Sequence, residues 1–295
     1  MLRTNEKKLA MISVQGTVVN PSGKRHSVDR EGRPYLLPGT GGITYNMKVG
    51  DCAFGWAGDH LEPGVSTVAD EKRMEPKNTG YNFLACVGNE AIVTTGDAKG
   101  GKGVVTGHHG GAEHVLIDFA DKTLDGMTMD DRFLIRSFGQ GLELIDYPDI
   151  HVYNLDPRLL KKMGIKENRK AGTLSVPVAA VVPGHLMGSG IGSTSMGTGD
   201  YDLTTTDQAM LKKHKLDRIR FGDFVAITDH DNIYGRSYRK GAITVGIVIH
   251  ADCRCAGHGP GVTTMLSCAS PKIKPVLNAK ANIADIMRIG RKRKK

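Results

Sequence analysis

Glycine is the residue that most restricts how this chain can fold. The sequence contains 38 glycines among 295 residues, nearly double the average usage of about 7%. Short apolar runs lie between these glycines, at residues 43–49, 83–87, 91–95, 115–119, 133–137, 174–182, 224–228 and 243–250. Such runs are typical of strands joined by tight turns, because glycine readily takes the positive φ that these turns need. We therefore predict a mainly β fold of short-stranded, barrel-like domains, with an α+β fold as the alternative.

Helix signals are few in the sequence. Short helices are predicted at residues 157–162, from 206 or 207 to about 215, and at 283–289. Asp156 precedes the first helix, and Thr206 or Asp207 precedes the second; these residue types often cap the first turn of a helix. Three short helices are consistent with a chain in which strands dominate.

One local pattern occurs twice, as an apolar run, a Gly-Asp pair and a second apolar run. The two copies contain Gly50-Asp51 and Gly222-Asp223. Such pairs suit the turns of small β-barrels, because glycine takes the positive φ and aspartate bonds the following backbone. We predict an N-terminal β domain at residues 1–155, a C-terminal β domain with short helices at 156–280, and a basic tail at 281–295.

The composition argues against a membrane protein and against a disulfide-bonded secreted domain. The longest stretch without charged residues, 171–199, contains prolines and repeated glycines, so it cannot form a spanning helix. Charged residues stand near the N-terminus, where a signal peptide needs an apolar stretch. Five cysteines in so long a chain are typical of free thiols in a reducing compartment. We expect a cytoplasmic protein with no membrane contact.

The net charge of +9 is concentrated at the C-terminus. Residues 288–295 carry six basic side chains and no acid. A terminal run of this kind is usually a solvated, mobile end. We therefore expect no nucleic-acid partner unless it binds through this tail.

Two glycine-flanked loops, 58–64 and 107–114, combine histidine with acidic residues. Their candidate site residues are Asp59 and His60 in the first loop, and His109, Glu113 and His114 in the second. Imidazoles and carboxylates are the ligands that zinc, manganese and iron use in proteins. The alternative for the first loop is an Asp-His turn that only caps backbone groups.

A third cluster follows the apolar run 243–250. It contains His250, Cys253, Cys255 and His258 within nine residues. A single residue between two cysteines is unusual for a structural zinc site. We therefore expect two ligands from this segment, His250 and His258, to join ligands from elsewhere in the chain.

A glycine- and hydroxyl-rich loop follows Pro183. It contains His185, Gly188, Ser189 and Gly190. Successive backbone amides in such a loop can bind an anion, so a substrate carboxylate or phosphate is expected there, with a plain flexible loop as the alternative. The loop matches neither nucleotide-binding glycine pattern, so no nucleotide cofactor is expected.

Several of these segments together resemble a known family. They are Gly-Asp-His-Leu-Glu-Pro-Gly-Val-Ser at 58–66, Gly-Gly-Ala-Glu-His at 110–114, Met-Gly-Ser-Gly-Ile-Gly at 187–192, Gly-Asp-Phe-Val-Ala-Ile at 222–227 and Gly-His-Gly-Pro-Gly-Val-Thr-Thr at 257–264. The chain resembles an uncharacterised domain-of-unknown-function family of prokaryotes, often thermophilic. The resemblance implies a β-dominated, multidomain fold and implies no activity. Cys253 and Cys255 lie outside the shared pattern.

Three functions are consistent with the sequence. The first is a metal-assisted hydrolase or lyase that acts on a small amide or carboxylate. In it, a divalent ion held by some of five histidines would activate water, and Asp59 or Glu113 would move the proton. The ligands proposed for this ion are His60, His109, His114, His250 and His258. The second is a non-catalytic small-molecule-binding or homo-oligomeric assembly protein, and the third is a nucleic-acid accessory protein that uses the tail.

Overall fold

The predicted mainly β fold is confirmed by a computed structural model, which describes residues 2–22, 27–69 and 75–294. Strands account for 37% and helices for 15% of it. The strands of the first half are β1 (Ile12–Val18), β2 (Ser27–Val28), β3 (Pro34–Tyr35), β4 (Ile43–Thr44), β5 (Gly64–Val68), β6 (Glu90–Val93), β7 (Lys102–His109), β8 (His114–Phe119) and β9 (Arg132–Ser137). Those of the second half are β10 (His151–Val152), β11 (Lys166–Asn168), β12 (Thr173–Val178), β13 (Ala180–Pro183), β14 (Tyr201–Asp202), β15 (Phe224–Asp231), β16 (Ser237–Val248), β17 (Gly261–Cys268) and β18 (Ile273–Leu277).

The first half forms a closed barrel of six strands. The strand order is β1-β9-β6-β7-β8-β5, and β5 pairs back onto β1 through Thr17 opposite Val68. All neighbouring strands in this ring are antiparallel. Closure leaves no free edge in the ring. The interior is filled by alternate apolar residues, among them Val105, Ile117 and Phe133.

The second half is an open sheet of order β10-β17-β16-β15-β13, with β14 paired to β17. Among the described residues of this sheet, β13 and β15 form a parallel pair, and all the other neighbouring strands are antiparallel. A smaller sheet of order β11-β12-β18 packs beside it.

The two halves pack closely where β7 crosses β17. The backbone N–H of His108 donates to Thr263 Oγ1 at 3.0 Å, and Thr263 Oγ1 donates to the carbonyl of His108 at 2.9 Å. A Cβ atom at Gly107 would lie 2.1 Å from Ile249 Cγ2, so glycine permits this close approach. The crossing brings the end of β7 beside the end of β16.

The two Gly-Asp turns lie against each other across the halves. Gly50 N donates to Phe221 O, and Phe221 N donates to Asp51 O, both at 2.9 Å. Each aspartate accepts from the backbone three residues earlier, and not from the following backbone as predicted: Asp51 from Lys48 at 2.9 Å and Asp223 from Arg220 at 2.8 Å. The repeated pattern therefore marks two equivalent turns that join the halves.

The helices show where the sequence prediction succeeded and where it was wrong. The helices are α1 (Pro76–Leu84), α2 (Asp121–Asp125), α3 (Pro157–Lys162), α4 (Gln208–Lys213) and α5 (Ile283–Met287). Asp156 caps α3 and Asp207 caps α4, as predicted. The strand predicted at 83–87 is instead the end of α1 and a turn. Pro76 opens that helix, and its buried Tyr81 packs against Gly16 of the barrel. The predicted strand 43–49 keeps only β4, and the run 174–182 divides into β12 and β13.

The C-terminal tail is docked, contrary to the mobile end that its composition predicted. Arg291 binds Asp51 at 2.6 Å, and Arg293 binds the buried Asp118 of β8. Ile289 is also buried. The acids that receive these arginines are far away in sequence, so local composition could not reveal them. Lys295, the last residue of the predicted tail, lies outside the described residues. Within the described part of the chain, no helix is long and apolar enough to cross a membrane.

Candidate metal centre

His60 lies in the turn before β5, with its ring held by the residue that precedes it. Its Nδ1 lies 2.5 Å from Asp59 Oδ1. Asp59 is fully buried and also accepts from Cys253 Sγ at 3.1 Å. Because Asp59 holds the proton of Nδ1, the Nε2 atom of His60 is the one that can bind an ion.

Glu62 orients the two histidines of the β7–β8 hairpin. His109 Nδ1 lies 2.5 Å from Glu62 Oε1, and His114 Nδ1 lies 3.0 Å from it. Ser66 Oγ and the Gly41 backbone also donate to this carboxylate, at 2.6 and 2.7 Å. Since Nδ1 of His109 donates to Glu62, its Nε2 is left as an acceptor.

Asp200 and Asp202 reach the same place from the second half. Tyr201 and Asp202 form β14, which pairs with β17, and alternate residues of an extended segment face the same side. Asp200 Oδ1 accepts from the backbone N–H of Gly110 at 2.6 Å. That bond turns Asp200 Oδ2 toward His250, whose Nε2 lies 3.0 Å away.

His250 directs Nε2 at these acids. Its Nδ1 donates to the carbonyl of Ala251 at 2.8 Å, and its Nε2 lies 3.5 Å from Asp202 Oδ1. His250 Nε2 and Asp200 Oδ2 are both buried, and each is the other's nearest partner, which requires a proton on Nε2. A Cβ atom on Gly261 would lie 1.7 Å from Asp200 Oδ2 and 2.4 Å from His250 Nε2. Glycine at this position therefore leaves open the space beside the two donor atoms.

His258 completes the cluster from the loop between β16 and β17. Its Nδ1 lies 2.9 Å from Asp202 Oδ2 and 3.1 Å from His60 Nε2, and that Nε2 lies 3.5 Å from Asp202 Oδ2. Ligand atoms bound to one ion at roughly 2.0–2.2 Å lie roughly 2.9–3.6 Å from one another. The spacing of these three atoms is therefore that of ligands around one ion.

The electrostatics favour the ionised carboxylates that bind metals. Burial would raise the pKa of Asp202, but hydrogen bonds with His250, His258 and His60 hold that pKa well below its ordinary value. Burial lowers the pKa of His109, which favours its neutral form. Burial also opposes the charged form of His250, but Asp200 and Asp202 outweigh it and raise the pKa of His250 well above its ordinary value. A metal ion would thus displace a proton from His250.

A cavity of about 520 Å³ opens onto this cluster. Its walls include Glu113, Ser189, Gly190 and Arg236 in addition to the cluster itself. Arg236 is buried, and its Nε has no hydrogen-bond partner among the described residues. One guanidinium N–H of Arg236 donates to the carbonyl of Thr198 at 3.1 Å. A cation therefore lines the same cavity as the histidines and aspartates.

The structure brings four of the five predicted metal ligands together: His60, His109, His250 and His258. His114 lies one layer behind them, bound to Glu62. Of the predicted proton-transfer residues, Glu113 lines the cavity and Asp59 lies behind His60. Of the predicted anion-binding residues, Ser189 and Gly190 line the cavity, Gly188 packs against Gly257 and His185 is exposed.

The sequence prediction omitted Glu62, Asp200, Asp202 and Arg236 from the site. Glu62 was part of the His60 loop, and Asp200-Tyr201-Asp202 carried a usable signal. Two acids separated by one residue face the same side if the segment is extended. The glycine-rich surroundings of this segment hid that extension.

Similarity to a known protein extends over 96% of this chain. Two family models match it: "Domain of unknown function (DUF4438), N-terminal" over residues 26–161 and "Domain of unknown function (DUF4438), C-terminal" over residues 147–287. It is similar to a solved structure titled "Crystal structure of TM1086", with 46% sequence identity and a TM-score of 0.89. That similarity covers 96% of this chain and 98% of the other. The curated proteins include no match.

Proposed function

We propose that this chain, which belongs to the DUF4438 family, is a metal-dependent hydrolase. Its substrate would be a small amide that bears a carboxylate. When bound, a divalent ion such as zinc, manganese or iron supplies Lewis acidity and lowers the pKa of a water ligand. The residues that would hold it are His60, His109, Asp200, Asp202, His250 and His258.

The observation that carries this proposal is the common orientation of three histidines. His60, His109 and His250 each direct Nδ1 to an oxygen, from Asp59, Glu62 and the Ala251 backbone. Their Nε2 atoms are thereby left for a ligand. Oriented imidazoles with second-layer carboxylates are the usual arrangement behind a bound metal, whereas a purely structural cluster has no need to gather several buried ring nitrogens around two carboxylates.

The cavity wall supports an anionic substrate. Arg236 provides a planar guanidinium that suits a carboxylate, and Ser189 and Gly190 supply small polar groups beside it. Glu113 lines the same cavity, where it can hold or accept the proton of the attacking water. Asp59, in contrast, is enclosed behind His60, so we assign it a positioning role.

Metal content and turnover test the proposal. We expect protein purified without added metal to carry a divalent ion by elemental analysis, and to hydrolyse members of a panel of N-acyl amino acids and dipeptides. The variant His109→Gln should lose both metal and turnover. His214→Gln, at the half-buried C-cap of α4, should keep both and serves as the matched control. Protein that binds no divalent ion at micromolar concentration would refute the proposal.

The second candidate, a binding protein without chemistry, makes a different prediction in the same assay. It predicts bound metal with no turnover of any panel member. The nucleic-acid alternative is disfavoured because Arg291 and Arg293 of the tail already bind Asp51 and Asp118. An exposed, unpaired basic surface would be needed for binding to phosphates.

A further inference from the structure

We propose that the site binds two divalent cations side by side, bridged by the carboxylate of Asp202. This inference rests on the proposed metal dependence and adds the number and arrangement of the ions. It follows from the way in which the donor atoms divide between the two oxygens of one side chain.

The first set of donor atoms surrounds Asp202 Oδ2. His258 Nδ1 lies 2.9 Å and His60 Nε2 lies 3.5 Å from that oxygen, and the two nitrogens are 3.1 Å apart. Cys253 Sγ lies within 4.8 Å of the donor atoms of both histidines. This set is closest to the open side of the cavity, because His258 is partly exposed.

The second set surrounds Asp202 Oδ1 and lies deeper. His250 Nε2 is 3.5 Å from that oxygen and 3.0 Å from Asp200 Oδ2. His109 stacks on His250 with ring centroids 4.2 Å apart, and it offers a nitrogen within 4.8 Å of the donor atoms of both His250 and Asp200. Asp202 presents one oxygen to each set, and His60 and His250 meet across it, with donor atoms within 4.8 Å of each other.

With a single ion, the other set would be held together by protons alone. An ion in the first set would leave the buried Asp200 Oδ2 and His250 Nε2, 3.0 Å apart, paired only through a proton kept on His250. An ion in the second set would leave His60 Nε2 with only His258 Nδ1 at 3.1 Å and Asp202 Oδ2 at 3.5 Å, again joined by protons. Buried polar atoms of this kind are costly unless they are paired or coordinate a metal.

The charge of the region also matches two ions. Four carboxylates, Asp59, Glu62, Asp200 and Asp202, are buried around the histidines. With the histidines neutral, as metal ligation requires, two divalent cations match these four charges, whereas one leaves a deficit that Arg236 alone cannot balance. A pair of ions about 3.5–4 Å apart is an established arrangement for hydrolysis, because one ion can hold the nucleophilic oxygen and the other the oxygen of the substrate.

Manganese stoichiometry and magnetic coupling test the inference on the full chain. Protein stripped with a chelator and titrated with Mn²⁺ in a calorimeter should bind two equivalents. Its electron paramagnetic resonance spectrum should show exchange coupling between the two ions. His258→Ala and Asp200→Asn should each bind one equivalent with an uncoupled spectrum. His214→Ala should bind two coupled ions, as the parent chain does.

The outcomes separate this inference from the proposed function. One equivalent in the parent chain, with hydrolysis retained, overturns the pair and leaves the metal-dependent hydrolase intact. Two equivalents without coupling overturn the Asp202 bridge. No bound Mn²⁺, zinc or iron overturns both proposals. Because the parent chain alone yields these results, the test stands even if a variant fails to fold.

Discussion

Replacement of Gly261 by alanine should abolish metal binding, since the new methyl group would enter the space between donor atoms. The added Cβ would lie 1.7 Å from Asp200 Oδ2 and 2.4 Å from His250 Nε2. Ordinary contact begins at 3.4 Å, so the oxygen would have to move by roughly 1.7 Å and the nitrogen by roughly 1.0 Å. Both side chains are held from behind, since Gly110 N donates to Asp200 Oδ1 and His250 Nδ1 donates to Ala251 O.

The size of the effect follows from the tolerance of a metal site. Bond lengths to a bound ion vary by only about 0.2 Å, so shifts of this size remove at least one ligand. We expect the affinity of the site for Mn²⁺ to fall by at least about 100-fold, equivalent to about 2.7 kcal/mol. Overpacking by a methyl group should also cost about 1–3 kcal/mol of folding stability in the metal-free protein.

Calorimetric titration and thermal melts would measure these two effects separately. The parent chain should melt at a higher temperature when Mn²⁺ is added, because ligand that binds only the folded state stabilises it. Gly261→Ala should show almost no such increase. Gly80→Ala is the matched control, because within the described residues no atom lies within 4 Å of its added Cβ. A Gly261→Ala protein with the parent's metal content and affinity would refute the assignment of this space to an ion.

Three further perturbations test the surroundings of the site. Glu62→Gln should weaken metal binding by about 10–100-fold, because both carboxylate oxygens accept hydrogen bonds and the amide NH2 that replaces one of them cannot; an unchanged titration curve would contradict this. Arg293→Gln should lower the free energy of unfolding in urea by about 1–3 kcal/mol, because it leaves Asp118 buried without its cation. Exposed Lys294→Gln should have no effect, and equal midpoints for the two variants would count against docking of the tail. Burial lowers the pKa of His230 below 6.5, so the folded state disfavours its proton. The stability that neutral His230 contributes is therefore present above pH 6.5 and lost as the pH falls below it. His230→Phe should reduce this loss of stability in acid, measured by urea melts at a series of pH values. The same dependence of unfolding free energy on pH in both proteins would be the contrary result.

Much of the fold could be predicted because its signals are local. Glycine turns, apolar runs and the caps at Asp156 and Asp207 act within a few residues. A strand was wrongly predicted where α1 ends, because Phe83 begins an apolar run. The residue that fixes the helix, Tyr81, acts through its contact with distant Gly16. Periodicity cannot report such contacts.

The site divides in the same way. Histidines are rare enough that a cluster such as His109 and His114 is conspicuous, so most of the candidate ligands were predicted. Asp200 and Asp202 were missed because aspartate is common in glycine-rich turns. Only the pairing of β14 with β17 directs their side chains toward His250. The tail was wrongly predicted to be mobile for a similar reason, because Asp118, which binds Arg293, is on a distant strand.

The crossing of β7 over β17 has a consequence for the maturation of the protein. His60 and His258 are 198 residues apart, yet their ring nitrogens lie 3.1 Å from each other. During synthesis, the early histidines emerge long before Asp200, Asp202 and His250 exist. A nascent chain can therefore hold no complete cluster, and the metal binding proposed above would become the last step of assembly. An ion would then be selected from the metal available after release from the ribosome.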